Sequence, residues 1–294
     1  MSSLALPAGA SLAQGGTGSP TLTLNAASGS AQIALVGATV LSYTPAGGKD
    51  LLWLSPVATC ADGKPIRGGV PLCGPWFGPH PFVPSAPPHG LMRTRLWDLV
   101  RVEALAEGRL RAEFQTAFPA QKELGWLHHA AATFVVTVGA TLTMELSFRN
   151  TGGTPFVLTN ALHTYFSVGD VRQARVEGLS EREYIDFNPG AGARRHAGPG
   201  PVSLTGEAAH FYLNSAPVRL VDPVLGRAIS LRGWGSSTTV LWNPWEKTGL
   251  SLGDIGAEWP RFLCVENANV PDSSVLLAPS TSQHLGVEIS CAAL

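Results

Sequence analysis

Charged residues are scarce in this sequence: they make up 14% of its 294 residues, against about 25% in an average soluble protein. Twenty Lys and Arg against 21 Asp and Glu leave a formal net charge of −1. A chain so close to neutral has no long-range field that would attract nucleic acid or an anionic membrane, so we expect neither as a partner. Any anion that the protein binds must be held by a local cluster of basic side chains.

Long apolar runs and cysteine pairs are also missing. No stretch approaches the roughly 20 apolar residues of a membrane-spanning helix, and residues 1–16 lack the basic start and apolar centre of a secretory signal. The four cysteines, Cys60, Cys73, Cys264 and Cys291, form no CxxC pair and have no ligand-like spacing with histidine. We therefore expect free thiols rather than disulfides, in a soluble, cytoplasmic and monomeric protein.

The motifs of several enzyme classes are absent as well. The sequence has no GxGxxG or GxxxxGK loop in a strand-to-helix context, no HExxH and no GxSxG. His128 and His129 are adjacent, which on a strand directs their rings to opposite faces, so they make a poor metal pair. We expect no metal and no cofactor.

Short stretches of alternating or β-branched residues dominate what is present. They predict strands at residues 21–24, 32–35, 38–43, 96–103, 110–114, 133–138, 141–149, 156–160, 218–221, 228–231, 238–242, 262–266 and 284–290. The 33 Gly and 23 Pro are spread along the chain and separate these short elements. Many strands without helices between them predict an antiparallel sandwich or barrel.

Two segments are predicted to be irregular. Residues 74–88 are so rich in proline that neither a strand nor a helix fits them, and long loops of this kind are often functional. Residues 189–201 are rich in glycine and proline and are the best candidate for a linker. Because more strands follow and neither half has a closed set of its own, we interpret them as a surface loop and residues 1–294 as one domain.

Basic residues next to glycine mark the first candidate site. Arg67 is followed by two glycines, which let the backbone approach a ligand while a guanidinium stays nearby. His89 follows the proline-rich loop and precedes a predicted strand. If Leu91 faces the core, His89 and Arg93 share its face and Met92 takes the other. The alternative is that Arg67, His89 and Arg93 are ordinary loop or surface residues.

Polar residues inside apolar segments mark the second candidate site. His163 lies between two apolar runs, where it is either a hydrogen-bonded core residue or a catalyst. Glu266 follows four apolar residues, and a buried carboxylate must be paired, strongly hydrogen-bonded or functional. Asp254 is a weaker candidate, since it also suits an ordinary turn.

Together these segments resemble the hexose-6-phosphate mutarotases (glucose-6-phosphate 1-epimerases) of the aldose 1-epimerase superfamily. The resemblance runs almost from end to end and rests on eight segments in the family's order: Leu51–Ser55, Ile66–Pro71, Pro75–Pro79, His89–Arg93, Ala161–Phe166, Trp242–Pro244, Gly253–Ile255 and Cys264–Glu266. It implies a β-supersandwich and a cofactor-independent interconversion of the α and β anomers of a hexose 6-phosphate, with glucose 6-phosphate as the expected substrate.

The resemblance also implies roles for individual residues. His163 and Glu266 correspond to the family's catalytic pair, Arg67 and Arg93 to arginines that bind substrate and its phosphate, and His89 to a histidine that assists at the sugar. Asp254 is expected in the substrate site too. We expect ionised Glu266 to take the proton of the anomeric hydroxyl and protonated His163 to donate to the ring oxygen, with the carboxylate holding the pKa of the imidazole up.

Two departures from the family leave alternatives open. The family often carries an Asp-Arg pair where this chain has Ala209 and His210, and some members have Gln at the position of Pro88. The chain is then either a mutarotase for phosphorylated hexoses, an epimerase for unphosphorylated aldoses, or a sugar-phosphate-binding protein without catalysis on the same scaffold.

Overall fold

The computed structural model describes residues 4–188 and 192–294. In these ranges the chain forms 22 strands: β1 Ala10–Gln14, β2 Pro20–Ala26, β3 Gly29–Ala34, β4 Thr39–Pro45, β5 Leu72–Cys73, β6 Asp98–Ala104, β7 Leu110–Phe118, β8 Ala130–Val138, β9 Leu142–Asn150, β10 Phe156–Leu158, β11 Asn160–Leu162, β12 Tyr165–Ser167, β13 Arg175–Glu177, β14 Glu183–Asp186, β15 Ala193–His196, β16 Ala208–Leu213, β17 Val218–Asp222, β18 Arg227–Trp234, β19 Thr238–Asn243, β20 Phe262–Asn269, β21 Val275–Leu277 and β22 Ser282–Ala293. The α-helix α1 spans Trp245–Ser251, and 3-10 turns span Ala61–Gly63, Met92–Thr94, Ala106–Gly108, Lys122–Leu124, Gly256–Arg261 and Pro271–Ser273.

The strands form two large antiparallel sheets and two small ones. The first large sheet has the order β13-β17-β18-β22-β9-β8-β7-β6. The second has the order β15-β14-β16-β19-β20-β11-β5, with β12 also paired to β20. Strands β1 to β4 form a four-stranded sheet, and β10 pairs with β21. The predicted all-β, antiparallel β-supersandwich is therefore confirmed.

The alternating pattern of the sequence places the core between the sheets. In β9, Leu142, Met144, Leu146 and Phe148 are buried and the residues between them are more exposed, as the period of two in a strand requires. The hairpin from β8 to β9 turns at Gly139, where Val138 pairs with Leu142. Strand β20 packs against β22 of the facing sheet and is buried along its whole length.

One hydrophobic cluster contains residues from all parts of the chain, from Leu22 in β2 to Ile289 in β22. This shared core agrees with the interpretation of residues 1–294 as one domain, which stays a prediction. All four cysteines are free thiols, as predicted. Within the described residues no helix is long and apolar enough to cross a membrane.

Two local predictions are wrong. The segment after His89 does not continue as a strand at Leu91, because Met92–Thr94 turn into a 3-10 helix and both Leu91 and Met92 are buried. The predicted surface loop at 189–201 contains the edge strand β15, which is held by pairing with β14. Residues 189–191 of that loop lie outside the described residues.

Candidate active site

A cavity of about 500 Å³ opens on the second large sheet and gathers five of the six residues predicted for the site. Its wall includes Arg67, His89, Arg93, His163 and Glu266. These residues come from four separate regions of the chain, and the sheet brings them together. The sixth predicted residue, Asp254, does not line this wall.

His163 and Glu266 face each other at the centre of the cavity. Glu266 lies in β20, and His163 lies between β11 and β12, where its backbone N–H donates to the carbonyl of Pro71. Nδ1 of His163 is 3.4 Å from Oε1 of Glu266, and the two side chains are only 8% and 1% exposed. Neither Nδ1 of His163 nor Oε2 of Glu266 has a hydrogen-bond partner. Since buried polar atoms are normally paired, these two are candidates for atoms that take part in proton transfer.

Burial determines the charge of this pair. It lowers the pKa of His163 well below its usual value, and electrostatic interactions with His89, Arg93 and Arg67 lower it further. Burial also raises the pKa of Glu266 well above its usual value, against the opposing effect of Arg93. The expectation that the carboxylate holds the imidazole pKa up is therefore wrong. Desolvation outweighs the pair's attraction, and both groups favour their neutral forms.

Arg67 is held in place on two sides. Its Nε donates to Oδ2 of Asp254 at 2.9 Å and its Nη1 donates to the hydroxyl of Tyr165 at 3.0 Å. The loop that carries it passes close to other backbone: a Cβ at Gly68 or Gly69 would lie within 2.5 Å of a carbonyl oxygen, and both have positive φ. The glycines therefore set the position of Arg67, and Asp254, which does not line the cavity, orients its guanidinium group.

His89 is positioned by a crossing of two backbone segments. The N–H groups of Leu91 and Met92 both donate to the carbonyl of Gly74, at 2.7 and 3.1 Å. At Gly90, which has a φ of +79°, a Cβ would lie 2.1 Å from that same oxygen. This contact fixes the end of the proline-rich loop beside the cavity.

The surroundings of His89 keep its imidazole neutral. Its Nδ1 accepts a hydrogen bond from the N–H of Gly78 at 3.3 Å, and its ring packs edge-on against Phe77. Burial, followed by the charges of Arg93 and Arg67, lowers its pKa to about 3. With Nδ1 accepting, Nε2 carries the proton and is a donor for a ligand. The Arg93 guanidinium donates to the carbonyl of Pro88 at 2.7 Å.

The aromatic residues that line the cavity were not predicted, and two of them, Tyr165 and Trp242, pack against His163. The ring of Tyr165 stacks on that of His163, with centroids 4.8 Å apart, and Trp242 packs edge-on against both. Tyr165 follows His163 by two residues, so the alternation of an extended chain would have placed it on the same face. That Tyr165 holds Arg67 could not be inferred without the three-dimensional contact.

A metal ligand set is also present in outline. His163, Cys264 and Glu266 have ligand atoms within 4.8 Å of one another. Metal binding requires the deprotonated thiolate, and burial raises the pKa of Cys264 well above its usual value. In the metal-free protein the thiol therefore favours its protonated form, and a metal ion would have to displace that proton.

The family comparison covers most of the chain. The model of the aldose 1-epimerase family matches residues 20–290. A protein of Cenchrus ciliaris named "Putative glucose-6-phosphate 1-epimerase" is 33% identical over 267 residues, which cover 85% of this chain and 77% of that protein. An Escherichia coli K12 protein with the same name is 33% identical over 240 residues, covering 81% and 79%.

Solved structures share the fold. A protein of Salmonella typhimurium described as a "putative mutarotase" superimposes with a TM-score of 0.89 at 27% identity, covering 99% of this chain and 96% of that one. A galactose 1-epimerase from Lactobacillus acidophilus superimposes with a TM-score of 0.75 at 11% identity, covering 98% and 99%. The second likeness shows the fold alone, which is that of the galactose mutarotase-like β-supersandwiches.

Proposed function

The chain belongs to the aldose 1-epimerase family and is an isomerase, and on that basis we propose that it interconverts the α and β anomers of a hexose 6-phosphate, with glucose 6-phosphate as the first candidate. The observation that carries the proposal is the contact between His163 and Glu266 in a cavity that also holds Arg67 and Arg93. An acid and a base side by side suit the opening of a sugar ring, and two arginines suit a phosphate.

The chemistry needs one proton to leave the anomeric hydroxyl and one to reach the ring oxygen. We propose that the neutral pair acts as a relay. The anomeric hydroxyl gives its proton to Oε2 of Glu266, Oε1 passes the carboxyl proton to Nδ1 of His163, and Nε2 donates its own proton to the ring oxygen. The bond from C1 to the ring oxygen breaks as the carbonyl at C1 forms. The numbers of atoms, protons and electrons balance, and neither group needs to be charged at the start.

Anomers exchange while the chain is open. The aldehyde rotates about the bond between C1 and C2, and the hydroxyl that had been the ring oxygen attacks the other face of C1. The same relay runs in reverse: that hydroxyl returns its proton to Nε2, and the new anomeric oxygen receives one from Oε2 of Glu266. Burial supports this scheme because it removes competing water from the pair.

The phosphate is assigned to Arg67 and Arg93. Both line the cavity, and both lie close enough to His163 for their charges to lower its pKa. A dianion between two guanidinium groups forms charge-assisted, forked hydrogen bonds. A local pair of this kind explains how a chain with a net charge of −1 selects an anionic sugar.

The proposal is tested by comparing phosphorylated and free sugar. Exchange NMR of glucose 6-phosphate and of glucose gives the catalysed rate after subtraction of the spontaneous one. We expect a higher kcat/KM for the phosphate, and we expect Arg93→Ala to lower it for glucose 6-phosphate much more than for glucose. Equal efficiency on both sugars would favour an epimerase for unphosphorylated aldoses. Binding of glucose 6-phosphate by calorimetry without any catalysed exchange would favour a sugar-phosphate-binding protein.

A further inference from the structure

One end of the cavity is built almost entirely from apolar side chains. This apolar wall consists of Phe187, Ala209, Phe211, Val240 and Trp242. The rings of Phe187 and Phe211 are 4.5 Å apart, and Phe187, at 39% exposed, forms the outer rim. Within the described residues, the indole N–H of Trp242 is the one polar side-chain group of the wall.

Strand register places this wall beside the catalytic carboxylate. Phe211 in β16 pairs with Val240 in β19, and Val240 pairs with Glu266 in β20. In the next row, Ala209 pairs with Trp242 and Trp242 with Cys264. Residues directly opposite each other point to the same face, so the wall begins one strand from Glu266 and extends to two strands, about 10 Å away.

The basic groups lie on the other side of Glu266. Strand β20 is flanked by β19 on one edge and by β11 and β12 on the other. His163 lies between β11 and β12, and Tyr165 of β12 holds Arg67. The apolar wall therefore meets the polar, cationic end of the cavity at Glu266 and at Trp242, whose ring also packs against His163 and Tyr165.

The connectivity of a hexose 6-phosphate determines which atoms face each end. The phosphate leads through C6 and C5 to the ring oxygen, then to C1, C2 and C3. Under the proposed function the phosphate lies at Arg67 and Arg93, the ring oxygen at His163 and the anomeric hydroxyl at Glu266. Carbons C2 and C3 then extend away from the arginines, toward the apolar wall.

We infer that this enzyme does not recognise the hydroxyl at C2, and that its substrates include 2-deoxyhexose 6-phosphates as well as their hydroxylated counterparts. A hydrophobic pocket rejects an added hydroxyl by only about 10²-fold, whereas a site built to hydrogen-bond a hydroxyl rejects the analogue that lacks it by about 10⁴-fold or more. The aromatic rings instead contact the C–H groups of the sugar. The inference rests on the proposed function.

The test compares glucose 6-phosphate with 2-deoxyglucose 6-phosphate in the same exchange assay. We expect their kcat/KM values to lie within about tenfold of each other. Val240→Thr, which keeps the shape of the side chain and adds a hydroxyl, is expected to raise the preference for glucose 6-phosphate by about three- to tenfold. Ala209→Ser serves as a second variant, should the buried Val240→Thr fold poorly. Val157→Thr, at a position 61% exposed and outside the cavity, is the matched control and should change nothing.

The outcomes separate the two proposals. A preference of the wild-type enzyme for glucose 6-phosphate above about 10³-fold would overturn the inference while leaving the mutarotase proposal intact. An unchanged ratio of the two kcat/KM values in both wall variants would also overturn the inference, because C2 would then face another part of the cavity. Catalysis of neither sugar would refute the proposed function itself and the inference with it.

Discussion

Asp254 offers a sharp test of the proposal that Arg67 binds the phosphate of the substrate. The resemblance to the family placed it among residues that bind substrate, whereas in the structure it contacts Nε of Arg67 at 2.9 Å from outside the cavity wall. Asp254→Asn keeps the shape of the side chain and removes its charge. We therefore expect it to loosen Arg67 without touching the His163–Glu266 pair.

The size of the effect follows from the exposure of the contact. A hydrogen bond to a charged group contributes about 1.5–3 kcal/mol when well buried, but the two side chains are 26% and 41% exposed, and solvent reduces such pairs to about 1 kcal/mol or less. We expect the KM for glucose 6-phosphate to rise about threefold to fivefold, since about 1.4 kcal/mol corresponds to a factor of ten. We expect kcat to stay the same and the rate with free glucose to be unchanged.

A double-mutant cycle in the exchange assay separates positioning from direct contact. In an Arg67→Ala background, Asp254→Asn should have no further effect. Glu288→Gln, which removes a similarly exposed partner of Arg232 elsewhere on the surface, is the matched control and should leave KM unchanged. If Asp254→Asn kept its full effect in the absence of Arg67, or slowed free glucose equally, Asp254 would contact the sugar itself and the positioning role would be wrong.

Three further results are expected. The free energy of unfolding, measured by urea denaturation, should fall as the pH drops from about 6.5 toward 3. In this range histidine binds a proton in the unfolded chain, whereas folded His89, with a pKa of about 3, and buried His163 do not. Each of these two residues contributes a slope of up to about 1.4 kcal/mol per pH unit. His89→Asn should reduce that slope and the exposed His284→Asn should not; equal slopes would contradict the lowered pKa values. Gly90→Ala should destabilise the protein by at least about 2 kcal/mol, because its Cβ would lie 2.1 Å from the Gly74 carbonyl oxygen at a φ of +79°. Gly153→Ala, at a position with open space around it, should change the free energy of unfolding little. A small loss of stability in Gly90→Ala would show that the crossing of the two backbone segments is not rigid. Finally, kcat should not fall as the pH rises from about 6 to 8, the usual range of histidine, because the neutral relay uses no imidazolium. A tenfold fall per pH unit across that range would indicate that protonated His163 is required.

The sequence predicts those strands in which apolar and polar residues alternate or β-branched residues cluster. The long strands β7, β8, β9, β18, β19, β20 and β22 alternate or carry β-branched residues, and nearly all predicted strands are present. The short strands β5, β11 and β12, of two or three residues, have no readable period. Yet β11 and β12 pair with β20, β5 pairs with β11, and His163 lies between β11 and β12. The edge strand β15 lies in a glycine-rich segment and exists because β14 supplies its hydrogen-bond partners.

Five of the six predicted site residues line the cavity, but neither its aromatic lining nor its electrostatics was predictable from the sequence. His163 and Glu266 are conspicuous in the sequence because each is polar in an apolar segment. Their charge states depend on how deeply both are buried and on the arginines around them, which only the three-dimensional arrangement determines. The position of Asp254 behind Arg67, rather than in the cavity, likewise depends on contacts between residues far apart in the chain.

The central claim, that Glu266 and His163 open the sugar ring together, is tested most directly by anomer exchange with Glu266→Gln. Glutamine keeps the shape of the neutral carboxyl group, so the free energy of unfolding should hold, but it cannot take up and pass on a proton. The catalysed exchange of glucose 6-phosphate should fall by about 10²- to 10⁴-fold, while Glu145→Gln, at an exposed position of β9, should retain the full rate. A Glu266→Gln enzyme as fast as the wild type would contradict the account.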